Sequence, residues 1–166
     1  LDVVALAAVA DVAPLGGVSR ALVRQGLTVM GRRQRVGITA LADVAGMNEA
    51  PSSYHLGFLL GPRVNAGGRI GKADLGARLL STDNPREAEA MAAKLDELNT
   101  ERREVEAAVR DLAMDLATDR GLGGPPVWAA GKGWHPGVVG IVAGRREGAT
   151  NRPGGVVGID GGGSGQ

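Results

Sequence analysis

Residues 83–121 read DNPREAEAMAAKLDELNTERREVEAAVRDLAMDLATDRG. Asp83 or Asn84 suits an N-cap, Pro85 the first helical position, and Glu87 and Glu89 favour the positive end of the helix dipole. Apolar residues then recur at Ala88, Met91, Leu95, Leu98, Val105, Val109, Leu112 and Leu116, with Arg102 in the one interrupted position. The spacing alternates three and four and predicts a single helix closed by Gly121. At 1.5 Å per residue such a rod is about 50 Å long. It reads as a connector with one narrow packed face.

On its N-terminal side the elements are short, the opening run reading as a buried helix or, if shorter, a buried strand. Leu1–Ala10 is almost wholly small and apolar and stops at Asp11, where Pro14 and Gly16-Gly17 enforce a turn. Helices are expected at about Arg20–Val29 and Thr39–Ala45, the latter closed by Gly46. A further helix, capped by Ser52 or Ser53, should run through Leu56 and end at Gly61-Pro62. An irregular glycine-rich loop is then expected from Arg63 to Gly71, followed by a short helix from Asp74 through Leu79. On the C-terminal side, Val127–Ala130 and Val156–Ile159 read as strands flanking a helix at Pro136–Glu147, the beginning of an α/β unit.

Composition narrows the function. The chain has 166 residues and a net charge of +1, from 19 basic and 18 acidic residues, so its total charge does not mark a polyanion binder. The charge is segregated instead. Arg20, Arg24, Arg32, Arg33 and Arg35 form one basic run, Arg63, Arg69 and Lys72 a second, and the acids gather between Asp83 and Asp119. A polyanion could be steered to the first part of the chain. The apolar share is 43% but the aromatic share only 2%, so the core must be aliphatic. The chain has no cysteine, which excludes disulfides and thiolate metal sites and is compatible with a cytoplasmic location. No apolar run approaches a membrane span. Leu1 in place of Met and the terminal glycines suggest that both ends are cut.

Four places could carry chemistry. Asp11, at the end of an apolar segment, suits a hard cation, although a turn-capping carboxylate is the commoner role. Arg63, Asn65 and Arg69 lie among glycines, which allow backbone approach, and arginine forks match phosphate oxygens. A surface loop paired to acids is the alternative, but no acid lies between His55 and Ile70. His135, in Trp134-His135-Pro136-Gly137, opens a helix and could donate to an anion or be simply solvated. Ser164, in the terminal Gly161-Gly162-Gly163-Ser164-Gly165, lies in a phosphate-loop-like or merely flexible end. His55 reads as a satisfied helical histidine.

Taken in order, these segments resemble the RecJ family of the DHH phosphoesterase superfamily. Leu1 through Leu15 resembles a metal-binding motif. Leu56-Gly57-Phe58 through Gly61-Pro62-Arg63-Val64-Asn65-Ala66-Gly67-Gly68-Arg69 resembles the next motif. Leu95 through Arg103 resembles the connecting helix, and Trp134 through Ala143 the start of a DHHA1 domain. The resemblance implies an α/β fold: the C-terminal part of a DHH catalytic domain at 1–82, a connecting helix at 83–121, and the N-terminal part of a DHHA1 domain at 122–166. It implies a metal-dependent, 5′-to-3′ exonuclease acting on single-stranded DNA in repair and recombination. Asp11 would be a catalytic ligand of Mn2+ or Mg2+, Arg69 would bind the 5′ phosphate, Arg63 and Asn65 would line the same pocket, and His135 and Ser164 would be candidate DNA contacts. Single-stranded-DNA-binding protein or a helicase would be partners. A phosphodiesterase for short oligonucleotides or cyclic dinucleotides, and a non-catalytic replication scaffold, are the alternatives. The chain departs from the family in containing no Asp-His-His triplet and in ending on Gln166 where the family has Arg. The chain alone is expected to be inactive.

Overall fold

The computed structural model describes residues 1–119, 127–150 and 154–159. They fall into two compact units that divide between Thr100 and Glu101. The architecture is α/β: mostly helical, with a small parallel sheet.

The first unit contains α1 (Asp2–Ala10), α2 (Gly17–Met30), α3 (Val36–Val44), a π-helical segment (His55–Leu60), α4 (Gly61–Ile70), α5 (Leu75–Ser81) and the first part of α6 (Pro85–Asp119). Its core is aliphatic, as a chain so poor in rings requires: Leu41, Leu56, Leu60, Leu79 and Leu95 are fully buried. Small residues bring the helices close. A Cβ on Gly26 of α2 would lie 2.4 Å from the Ala5 Cβ of α1, and one on Gly37 of α3 would lie 1.9 Å from the Leu79 carbonyl oxygen.

Asn84 caps α6, its Oδ1 accepting from the backbone N–H groups of Arg86 at 3.1 Å and Glu87 at 3.4 Å. The helix starts where expected and is described as far as Asp119, the expected end at Gly121 lying outside the described residues, but its buried face differs from the expected stripe. Beyond Leu98 the buried positions are Asn99, Arg102, Glu106, Val109 and Ala113, while Leu112 is exposed. An α-helix drifts by about 20° per heptad against a strict seven-residue repeat. The packed face therefore moves off the line of Val105 and Leu112, and onto Glu106 and Ala113.

The second correction is larger. Residues 63–70, expected as an irregular loop, are helical. Gly61-Pro62 does not end the preceding helix. It joins a π-helical turn to α4, with the Gly61 N–H bonded to the Leu56 carbonyl. Proline is tolerated here because it falls in the first turn of α4, where a missing N–H costs little. Glycine lowers helix propensity, but packing outweighs it. Ala66 and Gly67 are buried, and a Cβ on Gly67 would lie 3.0 Å from the Leu95 Cδ2.

In the second unit, β1 (Val127–Lys132) and β2 (Gly154–Ile159) pair in parallel across α7 (Pro136–Thr150). This is the strand–helix–strand unit expected from the sequence. Buried Trp134 sits over the cross-strand pair Gly131 and Gly158: Cβ atoms there would lie 2.1 Å from its ring and 2.4 Å from its carbonyl oxygen. Glu106 is buried between two arginines, with Arg102 Nη1 2.5 Å from Oε2 and Arg145 Nε 2.8 Å from Oε1.

Candidate nuclease site

Asp11 is the C-cap of α1. The helix closes on it with paired reverse bonds: the Val12 N–H to the Val9 carbonyl at 3.1 Å, and the Ala13 N–H to the Ala8 carbonyl at 2.9 Å. This is a Schellman motif, whose left-handed position usually holds glycine. Here that position is Val12, at φ 54°. A β-branched residue in this region is strained. Asp11 is exposed, and the last turn of α1 holds no basic residue. A carboxylate at the negative end of a helix dipole, with no neighbouring cation in its turn, attracts a cation.

Asp11 and Asn65 line one groove of about 620 Å³ between α1 and α4, walled by Val3, Leu6, Ala7, Ala10 and Val64. The helices approach closely there, since a Cβ on Gly61 would lie 3.0 Å from the Ala10 Cβ. Arg69 is exposed one helical turn beyond Asn65, on the same face of α4.

Arg63 does not join them. Two residues before Asn65, it points about 200° around the helix, as 3.6 residues per turn dictates. Its Nε donates to Asp96 Oδ1 at 2.8 Å and its Nη1 to the Leu59 carbonyl at 2.8 Å. Arg63 was expected to line one pocket with Asn65 and Arg69; a loop could have gathered all three, but on the helix Arg63 faces away from the other two and pairs with Asp96. The acid that pairs Arg63 comes from α6, far along the sequence, so the local lack of acids was misleading.

His135 caps α7: its Nδ1 accepts from the Gly137 N–H at 3.1 Å. That geometry supports a helix-entry role. Ser164 lies outside the described residues. Buried His55 is satisfied, as expected. With Ser52 it forms a capping box in which histidine replaces the usual Glu or Gln: the Ser52 N–H donates to His55 Nδ1 at 3.1 Å, and the His55 N–H approaches Ser52 Oγ at 3.5 Å. His55 Nε2 then meets Glu49 Oε1 at 3.1 Å. Asp2 is buried against Arg35, whose Nε donates to Oδ2 at 2.8 Å. Burial works to raise the Asp2 pKa, but the hydrogen bonds from Arg35 and the Val3 N–H, together with nearby positive charge, outweigh it and hold the carboxyl below its usual value.

Among the described residues no group of three or more His, Cys, Asp or Glu could hold a metal ion. Asp11 is thus a lone carboxylate here. A divalent cation needs several oxygens, so these residues do not hold Mn2+ or Mg2+ by themselves.

No protein-family model matches the chain. The chain is similar, over a part of their length, to single-stranded-DNA-specific exonucleases. Within that class the resemblance is to RecJ. The chain is 37% identical to RecJ of Bacillus subtilis over 96% of its length, and 40% identical to RecJ of Escherichia coli over 92%. It spans 20% and 28%, respectively, of those curated relatives. The crystal structure of RecJ from Thermus thermophilus in complex with Mg2+ superposes with a TM-score of 0.80 at 35% identity, over 96% of this chain and 25% of that one. A manganese-bound exonuclease RecJ gives 0.75 at 36% identity, over 94% and 39%. No described helix is long and apolar enough to cross a membrane.

Proposed function

We propose that this chain is part of a RecJ-type hydrolase that removes nucleotides from single-stranded DNA in the 5′-to-3′ direction, in DNA repair and recombination. The observation that carries the reading is the shared groove: Asp11 on one wall and Asn65 on the other, with Arg69 one turn further along the same helix face. In this reading Asp11 is one ligand of Mn2+ or Mg2+. The other ligands come from parts of the relatives that this chain does not cover, so the chain alone is inactive. Arg69 fixes the 5′ phosphate, a role for which its planar fork suits two phosphate oxygens. DHH and DHHA1 domains would flank α6. Single-stranded-DNA-binding protein or a helicase, in the cytoplasm, would present the strand.

The test compares 5′-phosphorylated and 5′-hydroxyl oligonucleotides as substrates of the whole enzyme containing this chain. Arg69→Ala should weaken use of phosphorylated ends by about ten- to a hundredfold, the worth of a charge-assisted contact. Arg69→Lys should restore part of it. Equal losses on both substrates would remove Arg69 from end recognition.

A further inference from the structure

Tyr54 and Phe58 are stacked on the protein surface, with ring centroids 5.1 Å apart and planes inclined by 27°. They are 60% and 64% exposed. They are the one Tyr and the one Phe of a chain whose aromatic content is 2%. Neither ring is needed by the aliphatic core, and each leaves apolar area in water. The backbone beneath them is the π-helical segment, a form that often marks functional positions.

The helical run continues from these rings into α4. Asn65 follows Phe58 by seven residues and Arg69 follows Asn65 by four, so the three share roughly one face. From Phe58 to Arg69 the axial distance is about 16 Å, a few nucleotides of strand. Arg69 and Lys72 are exposed at the far end of this run, a local charge that complements a polyanion. The two rings expose roughly 250 Å², well short of the ~800 Å² per partner of a stable protein interface.

We propose that Tyr54 and Phe58 form a stacking platform for an unpaired base of single-stranded DNA, on the same helix face as Asn65 and Arg69. The proposal rests on the single-stranded-DNA reading above and adds to it a contact with the bases. Stacking of this kind is sequence-tolerant, because every base offers a π face.

Because each ring type occurs once, their NMR ring resonances are identifiable without ambiguity. The chain is titrated with 5′-phosphorylated oligothymidylate and with an abasic strand of equal length and charge. Oligothymidylate should shift both ring systems and the abasic strand should not. Phe58→Ala should weaken oligothymidylate binding by about tenfold, down to the abasic level, with no change for the abasic strand. Phe58→Trp should retain tight binding, and both variants should keep the helical circular dichroism of the parent. Equal affinity for the two strands with unmoved rings would overturn the platform. The single-stranded-DNA reading would survive that result if Arg69→Ala still weakened both. No binding of either strand would overturn both. Ring shifts that grow with protein concentration in the absence of DNA would give the surface to a second copy of the chain and overturn the platform.

Discussion

Arg63 Nε donates to Asp96 Oδ1 at 2.8 Å, and the same guanidinium caps the Leu59 carbonyl at 2.8 Å. One side chain thus ties α4 to α6 and satisfies a carbonyl beside Pro62, where the helix changes from π to α. Arg63→Ala should therefore lower stability by about 2 kcal/mol, the order of a charge-assisted bond with a partly exposed partner. Arg63→Lys should recover little, since a point charge cannot bridge both acceptors. Urea unfolding monitored by circular dichroism measures this. An unchanged midpoint alongside weaker binding of 5′-phosphorylated DNA would return Arg63 to a phosphate role.

Val12 occupies the left-handed position that terminates α1, at φ 54°. Val12→Gly should raise stability by about 1 kcal/mol, because relief of the strain exceeds the added chain entropy. Thermal unfolding of the two proteins checks it. A loss of stability would mean that Val12 makes a compensating contact.

Asp11→Ala, made in the whole enzyme, should reduce hydrolysis by more than about a hundredfold, since even outer-shell metal partners cost 10–100-fold. Binding of single-stranded DNA should change little, because Asp11 carries no positive charge for the phosphates and the residues that line its groove include no Lys or Arg. Hydrolysis at the parent rate would restore Asp11 to a purely capping role.

The Asp2–Arg35 pair predicts an acid limb. The folded pKa of Asp2 lies below its ordinary 3.8, so the pair's contribution is fully present above that value and is lost as pH falls through the lowered folded value. The stability gap between the parent and Asp2→Asn should be wide at pH 7 and shrink as pH is taken progressively below 3.8. A constant gap would mean that the pair is not what titrates.

Gly158→Ala should cost about 1–3 kcal/mol, because the new Cβ would lie 2.4 Å from the Trp134 carbonyl oxygen, which cannot move aside as a flexible side chain could. Gly140→Ala in α7 meets nothing within 4 Å and should stabilise by about 0.5–1 kcal/mol. Opposite signs in one denaturation series would separate packing from propensity.

The sequence alone determined whatever rests on local periodicity and capping. The 35-residue α6 was legible from Asn84, Pro85 and the three–four spacing, and β1, α7 and β2 from the change of pattern after the prolines. Asp11 was legible as the end of α1, and His55 as a satisfied side chain. Tertiary structure decided the rest. Gly61-Pro62, Gly67 and Gly68 read as a loop because propensity is a local quantity, yet packing against Leu95 makes a helix of them. That one change moved Arg63 away from Asn65 and Arg69 and gave it to Asp96, 33 residues on. The burial of Glu106 and Ala113 in place of Leu112 followed from helical drift, and Arg145, from another helix, meets the buried Glu106. Residues distant in the chain find one another only when the core assembles, so no short window of sequence could have shown which charges would meet.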